Sequence, residues 1–256
     1  MRLTVLGGSG ASPNAGAGCS GYLVETATSR IVLDLGPGTL AELRRHTDFR
    51  HLDGIVISHL HVDHVLDLLA LRHALAYNPI SAPAPIAVWL PPGGIEFLAR
   101  ATAPWDESDE PGRFAATIDV AEYDPNQEIT VGDTTISFAP AVHYVPAWAM
   151  RIASDGAADL GYTADTGPAA ELAPFFSGVG VLVAGTGLLE PSAEPFAKRG
   201  LLTATEAGEL GRSADARTLI LTHLWQELGF DRYRAVAASA FPGRLEVAHP
   251  GLAVEW

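Results

Sequence analysis

Ser58-His59-Leu60-His61-Val62-Asp63-His64 places three imidazoles and a carboxylate within six residues, after the short β-branched run Gly54–Ser58 and ahead of the apolar helical stretch Val65–Tyr77. Imidazole and carboxylate together suit zinc and similar divalent ions. The spacing supports this chemistry. His59 and His61 are two residues apart, so in extended backbone both point to the same side. Asp63 and His64 then fall in the first helical turn and can face a second, nearby ion. Several protonated rings packed together would repel one another, and a metal relieves that by binding the neutral rings. Five of the nine histidines sit at strand ends that could converge, and Asp165 also follows a strand. A chance histidine-rich surface loop would not carry that wider pattern.

Outward from this segment, strands are expected at Arg2–Leu6, Tyr22–Thr26, Arg30–Leu35, Ile86–Leu90, Ala116–Val120, Glu128–Val131, Thr134–Ala139, Trp148–Ala153, Leu160–Thr163, Val179–Ala184, Thr218–Thr222 and Arg244–Ala248. Helices are expected at Leu40–His46, Gly94–Ala101, Thr203–Arg212 and Arg232–Ala240. The Val65–Tyr77 stretch is apolar on almost every face and should be covered on most sides. Gly7–Gly21 reads as a loop, and Pro104–Gly112 (PWDESDEPG) as an exposed acidic one. Strands leading and helices following in each half predict two sheets face to face with helices outside, an α+β fold in four layers. Ile57-Ser58-His59-Leu60 and Leu221-Thr222-His223-Leu224 are the same phrase, which points to two related halves. No Gly/Ser- or Pro-rich linker separates them, so residues 1–256 read as one domain.

Composition narrows the function. Apolar residues make up 48% and charged residues 18%, a globular balance. With 16 basic against 30 acidic residues the net charge is −14, which repels a phosphate backbone at long range and disfavours general nucleic-acid binding. Cys19 is the only cysteine, so an intrachain disulfide and a cysteine zinc cluster are excluded, and it reads as a small loop or core residue. No apolar run is long enough for a membrane span or a signal peptide, and a cytoplasmic setting is expected.

The segment His59-x-His-x-Asp-His64 after a short strand resembles the signature of the metallo-β-lactamase fold, a four-layer αβ/βα sandwich. The likeness spans the chain. Leu3–Gly10 with Cys19–Tyr22 looks like the opening strand and loop of the ribonuclease Z-like and cyclic-nucleotide phosphodiesterase-like branch. Asp34-Leu35-Gly36, Ala141-Val142-His143, Gly161–Gly167 (GYTADTG) and Leu219–Leu224 (LILTHL) resemble its later motifs, in order. The resemblance implies a two-metal hydrolase. One ion would take His59, His61 and His143, and the other Asp63, His64 and His223, with Asp165 bridging them and a hydroxide between the ions as nucleophile. Asp63 and Asp165 would thus be catalytic carboxylates as well as ligands. The ions would be zinc, with manganese as the other candidate. Asp34 would lie beneath the site and accept a hydrogen bond from a ligand histidine, and Tyr144 and Trp148 would line the substrate pocket unless they are simple aromatic packing. His73 reads as a core or pocket-rim residue, and His46, His51 and His249 as surface residues.

Two departures bear on substrate. Where ribonuclease Z-like enzymes carry a glutamate after the strand that follows the bridging aspartate, this chain has Gly185. Where they carry a histidine that this glutamate orients, it has Leu201. In the family that pair assists departure of the leaving oxygen. The basic arm that docks transfer RNA is also missing. The expected substrate is therefore a small phosphodiester or phosphotriester with a good leaving group, and transfer RNA is not an expected partner. A lactone or thioester hydrolase on the same site, or a metal-binding protein of little activity, are the alternatives. The branch also implies a homodimer, with the Val65–Tyr77 helix as candidate interface beside its reading as core.

Overall fold

A computed structural model describes residues 1–106, 116–195 and 198–256. Its frame is two seven-stranded mixed sheets. The first is built from β1 (Arg2–Gly7), β2 (Gly21–Glu25), β3 (Arg30–Leu35), β4 (Gly54–Val56), β5 (Ile86–Leu90), β6 (Ile118–Glu122) and the last strand, β14 (Ala253–Glu255). The second holds β7 (Ile129–Val131), β8 (Thr134–Pro140), β9 (Trp148–Ser154), β10 (Leu160–Tyr162), β11 (Val181–Gly185), β12 (Thr218–Thr222) and β13 (Arg244–Val247). Each sheet begins with antiparallel pairs and continues with parallel ones, β3 to β6 in the first and β10 to β13 in the second.

Alternation along the strands sorts side chains into layers. Leu3, Val5, Ile31, Leu33, Val181 and Val183 point into a core shared by both sheets. Their neighbours Leu6 and Val32 face outward under α1 (Thr39–His46), α3 (Asp67–Ala76) and α4 (Gly94–Asp106). On the far side Leu182, Ala184, Leu219 and Leu221 lie under α5 (Leu172–Phe175), α6 (Ala204–Ser213) and α7 (Phe230–Ala238). The result is the four-layer arrangement expected from the sequence.

Three details differ from the expectations. The apolar stretch after His64 is not one helix: α2 (Val62–Val65) stops at Leu66, and α3 starts at Asp67. Its cover is uneven: Val65, Leu68, Leu71 and Leu75 are buried, whereas Leu66 and Tyr77, which flank α3, are exposed. Asp67 explains the break in part, because its carboxylate accepts from Leu40 N at 2.9 Å, at the start of α1. Second, α4 runs through Pro104 to Asp106, over the first part of the expected acidic loop; residues 107–112 lie outside the described residues. Third, β14 and the one-turn helix α5 have no counterpart among the sequence expectations. No helix among the described residues is long and apolar enough to cross a membrane.

Candidate metal centre

The strands of both sheets deliver the expected donors to one place. His59 and His61 follow β4, Asp63 and His64 lie on α2, His143 follows β8, Asp165 follows β10 and His223 follows β12. They form two groups, His59–His61–His143 and Asp63–His64–Asp165–His223, and within each group one donor atom per residue lies within 4.8 Å of every other. The groups adjoin: the His59 and His64 rings are 4.0 Å apart. Asp165 Oδ2 lies 3.0 Å from His223 Nε2 and 3.8 Å from His143 Nε2, so its carboxylate stands between the groups.

The outer ring nitrogens determine which lone pairs point inward. Asp34 accepts four bonds: from Ser58 N and Ser58 Oγ at 2.7 Å each, from His64 Nδ1 at 2.7 Å and from Tyr162 OH at 2.6 Å. A carboxylate can only accept, so His64 carries a proton on Nδ1 and turns Nε2 toward the group. Ser58 Oγ spends its hydrogen on Asp34 and therefore accepts from His59 Nδ1 at 3.0 Å. His143 Nδ1 donates to the Gly200 carbonyl at 2.7 Å. The Nε2 atoms of His59 and His143 then converge on His61 Nδ1 at 3.2 and 3.0 Å. Three ring nitrogens brought this close, two of them with their lone pairs turned inward, form a donor set that suits a cation.

The second group suits one as well. His64 Nε2 is buried without a hydrogen bond, with carboxylate oxygens of Asp63 and Asp165 at 3.4 and 3.5 Å. Nitrogen and carboxylate around an orphaned buried atom are a donor set for a divalent ion. Electrostatics differ between the groups. Burial holds the His59 and His143 rings below their ordinary pKa, His59 far below. For His64 burial works the same way, but the Asp165 and Asp34 carboxylates outweigh it and hold the ring well above its ordinary value. Asp165, with Asp63, likewise overcomes burial at His223 and lifts it to about 9. In return the histidines keep both carboxyls low despite their burial.

Backbone strain gathers at the same place. Four non-glycine residues adopt left-handed φ among the described residues, and three of them are Asp34 (56°), Ala164 (52°) and His223 (61°). Such conformations cost of order 1–3 kcal/mol each and persist where surrounding structure over-determines them. Gly185 belongs to this device. A Cβ there would lie 2.4 Å from the Ala164 carbonyl oxygen and 3.3 Å from Asp165 Oδ1, so β11 approaches the Asp165 turn at a distance only glycine allows.

The remaining expected residues fall as follows. Leu201 is partly exposed and packs on Gly187, beside His223 Nδ1. Tyr144 is exposed next to His143, its ring 5.0 Å away, and its hydroxyl donates to Glu194 Oε2 at 2.7 Å. Trp148 packs against the inter-sheet core, edge-on to Tyr123. Cys19 is fully buried, and burial pushes its thiol up to about 12. His46, His51 and His249 lie at the surface, and His73 is half-buried on α3. Sequence reasoning missed Ser58, Tyr162 and Gly200. Ser58 was visible inside the histidine segment; the others hold the donors only through tertiary contacts.

Comparison with known proteins agrees with this geometry. The chain is 28% identical over 257 residues to the "Probable metallo-hydrolase YhfI" of Bacillus subtilis, covering all of both chains. The crystal structure of YhfI superposes with a TM-score of 0.86 at 26% identity, over 100% of this chain and 99% of that one. An uncharacterised protein of Mycobacterium tuberculosis, Rv1339, is 31% identical over 88% of this chain and 81% of its own length. Ribonuclease Z of Methanopyrus kandleri is 27% identical over 99% and 97%. Residues 29–224 match the Beta-lactamase superfamily domain, and the chain belongs to that superfamily, with the metallo-β-lactamase fold.

Proposed function

We propose that the protein is a dinuclear metal-dependent hydrolase of a small phosphoester whose leaving group departs without a proton donor. The observation that carries this reading is the pair of adjoining donor groups joined by Asp165. His59, His61 and His143 would hold one ion, Asp63, His64 and His223 the other, and Asp165 both. Zinc is the first candidate and manganese the second. Two such ions, when bound, make water a nucleophile near neutral pH and neutralise charge on the attacking and leaving oxygens.

The chain's own residues supply the rest. Asp34 fixes the proton of His64 directly and that of His59 through Ser58, and the Gly200 carbonyl does the same for His143. Such outer partners raise ligand basicity and hold ring orientation. Hydrolysis breaks the bond between phosphorus and the leaving oxygen, which keeps the electron pair. The new bond comes from a water oxygen, whose proton passes to solvent.

Phosphoester chemistry is favoured by the ribonuclease relative, because RNA cleavage is a phosphodiester reaction. A small substrate rather than RNA is favoured by the net charge of −14. Gly185 and Leu201 stand where the related enzymes orient a leaving-group acid, and such an acid is worth about 10²–10⁴-fold. The lone cysteine suits a cytosolic setting.

A substrate series tests the reading. Protein equilibrated with zinc or manganese should bind two ions and cleave bis(4-nitrophenyl) phosphate faster than a dialkyl phosphodiester by roughly 10²–10⁴-fold. Equal rates on the two esters would overturn the leaving-group argument. Absence of bound metal by elemental analysis would overturn the whole reading.

A further inference from the structure

The histidines of the centre are not held alike. His59, His64 and His143 each have an outer ring nitrogen engaged, with Ser58 Oγ, Asp34 and the Gly200 carbonyl. His223 has no such bond. Its Nδ1 is buried without a partner, while Nε2 lies 3.1 Å from Asp63 Oδ2 and 3.0 Å from Asp165 Oδ2. Its backbone is left-handed, at φ 61°. A turn of this kind persists only where its surroundings over-determine it. With no hydrogen bond behind the ring, the direction of Nε2 depends on what holds the main chain of the turn.

The loop between β1 and β2 holds it. Leu224 N donates to Gly8 O at 2.9 Å, and Gly10 N donates to Leu224 O at 3.1 Å. Gly8 lies so close to the end of β12 that a Cβ there would meet Thr222 Oγ1 at 2.9 Å. One side chain completes the clamp. Asn14 is buried; its Nδ2 donates to Leu224 O at 2.8 Å, and its Oδ1 accepts from Gln226 N at 3.1 Å. A carbonyl only accepts and a backbone N–H only donates, so this double bond to the main chain takes a carboxamide. Asn14 N in turn donates to Ser9 Oγ at 3.0 Å, and Ala15 N donates to Gln226 Oε1 at 2.9 Å. The loop and the segment after His223 are thus tied from both sides.

We propose that Asn14 is a positioning residue for the second ion, keeping the His223 turn left-handed so that Nε2 meets Asp63 and Asp165. The inference rests on the two-metal reading and goes beyond it, because Asn14 is not among the donors and acts on a ligand only through the main chain. The clamp does for His223 what a ring hydrogen bond does for His59, His64 and His143. Without it the turn relaxes and the His223 ring leaves the second group. The His59–His61–His143 group has no contact with the clamp through these bonds, and it keeps its ion.

The test is chelator competition for zinc on the full chain, which should resolve two ions in the wild type. Asn14→Ala should weaken one ion about 10–100-fold and leave the other within about threefold. Asn14→Asp keeps the Gln226 bond and sets a carboxylate oxygen against the Leu224 carbonyl. It should have the same effect, and it decides the matter if the alanine variant does not fold. Ser29→Ala controls for plain loss of stability, since buried Ser29 Oγ bonds only Val131 O and Asp133 among the described residues; both ions should stay within about threefold of the wild type. A double-mutant cycle identifies the residue through which Asn14 acts. His223→Ala should weaken the same ion, and adding Asn14→Ala to it should change zinc affinity by less than about threefold. Wild-type affinity in the Asn14 variants, equal loss of both ions, or a further loss beyond about threefold in the double variant overturns the proposal. Turnover is a separate readout. If two ions bind and no ester is cleaved, the hydrolase reading fails and the zinc competition still decides the role of Asn14. If the wild type binds fewer than two ions, both fall.

Discussion

The phrases Ser58-His59-Leu60 and Thr222-His223-Leu224 are alike on paper and unlike in the molecule. Ser58 Oγ accepts from His59 Nδ1 and donates to Asp34, so the first phrase contains its own support. Thr222 Oγ1 is engaged with Tyr22 OH at 2.6 Å, and His223 Nδ1 is buried with no hydrogen bond. His59 is neutral because burial lowers it, whereas His223 is lifted to about 9 because carboxylates outweigh burial. His223 also sits at φ 61°. One histidine is preset for a cation by its neighbours. The other is held by backbone strain and by the carboxylates with which it would share an ion.

The most damaging way to break this contrast is to remove the carboxylate both groups share. Asp165→Ala should reduce bound zinc from two ions to one or none and lower kcat/KM by at least about 100-fold. Elemental analysis of dialysed protein checks the first, and aryl diester turnover the second. Retention of two ions would show that Asp165 joins nothing.

A smaller effect should separate the two phrases themselves. Ser58→Ala removes support for His59 and a donor to Asp34, so zinc affinity should fall about 10–100-fold in chelator competition. Thr222→Ala should change zinc affinity by less than about threefold while costing about 1–2 kcal/mol in urea unfolding, because Tyr22 OH loses its partner. Equal losses of zinc affinity would erase the distinction.

The mildest probe is pH, applied to chelator-treated protein. His59 and His143 have folded-state values below 6.5, so the unfolded chain takes up their protons first and stability falls as pH drops below 6.5. His64 and His223 have values above 6.5. Their contribution is complete below 6.5 and is lost as pH rises, through about 9 for His223. The Tm of metal-free protein should therefore peak near pH 6.5 and drop by a few degrees on either side. Saturating zinc should remove the alkaline fall, since an ion binds neutral rings. A metal-free profile flat from pH 5 to 9 would contradict the opposed signs.

Legibility in the sequence tracked the range of the interaction. His59, His61, Asp63 and His64 were readable because their geometry is set by one strand end and one helical turn. His143, Asp165 and His223 were found through motif order, and the structure brings all three to the centre. The layers followed from strand alternation. What could not be read depends on distant packing: the Tyr162 bond to Asp34, the Gly200 carbonyl beneath His143, and the left-handed turns at Ala164 and His223. The stretch after His64 is only partly legible: its apolar composition suggests cover on most sides but gives neither the break at Leu66 nor which residues stay exposed. Which faces stay wet is decided by what packs against them, and Leu66 and Tyr77 remain exposed.

The tight approach of Gly185 to the Ala164 carbonyl has a historical consequence. Any side chain at 185 would collide with the turn that presents Asp165, so Gly185→Glu by itself damages the centre before it can help. Leu201→His by itself lacks the glutamate that would orient it. The two substitutions that would rebuild the acid pair thus have no neutral order, and a prior shift of the 164–165 turn is needed to open a path. Descent, or directed evolution one residue at a time, would meet a valley here. The quickest way across is a transplant of the β10–β11 turn together with both residues.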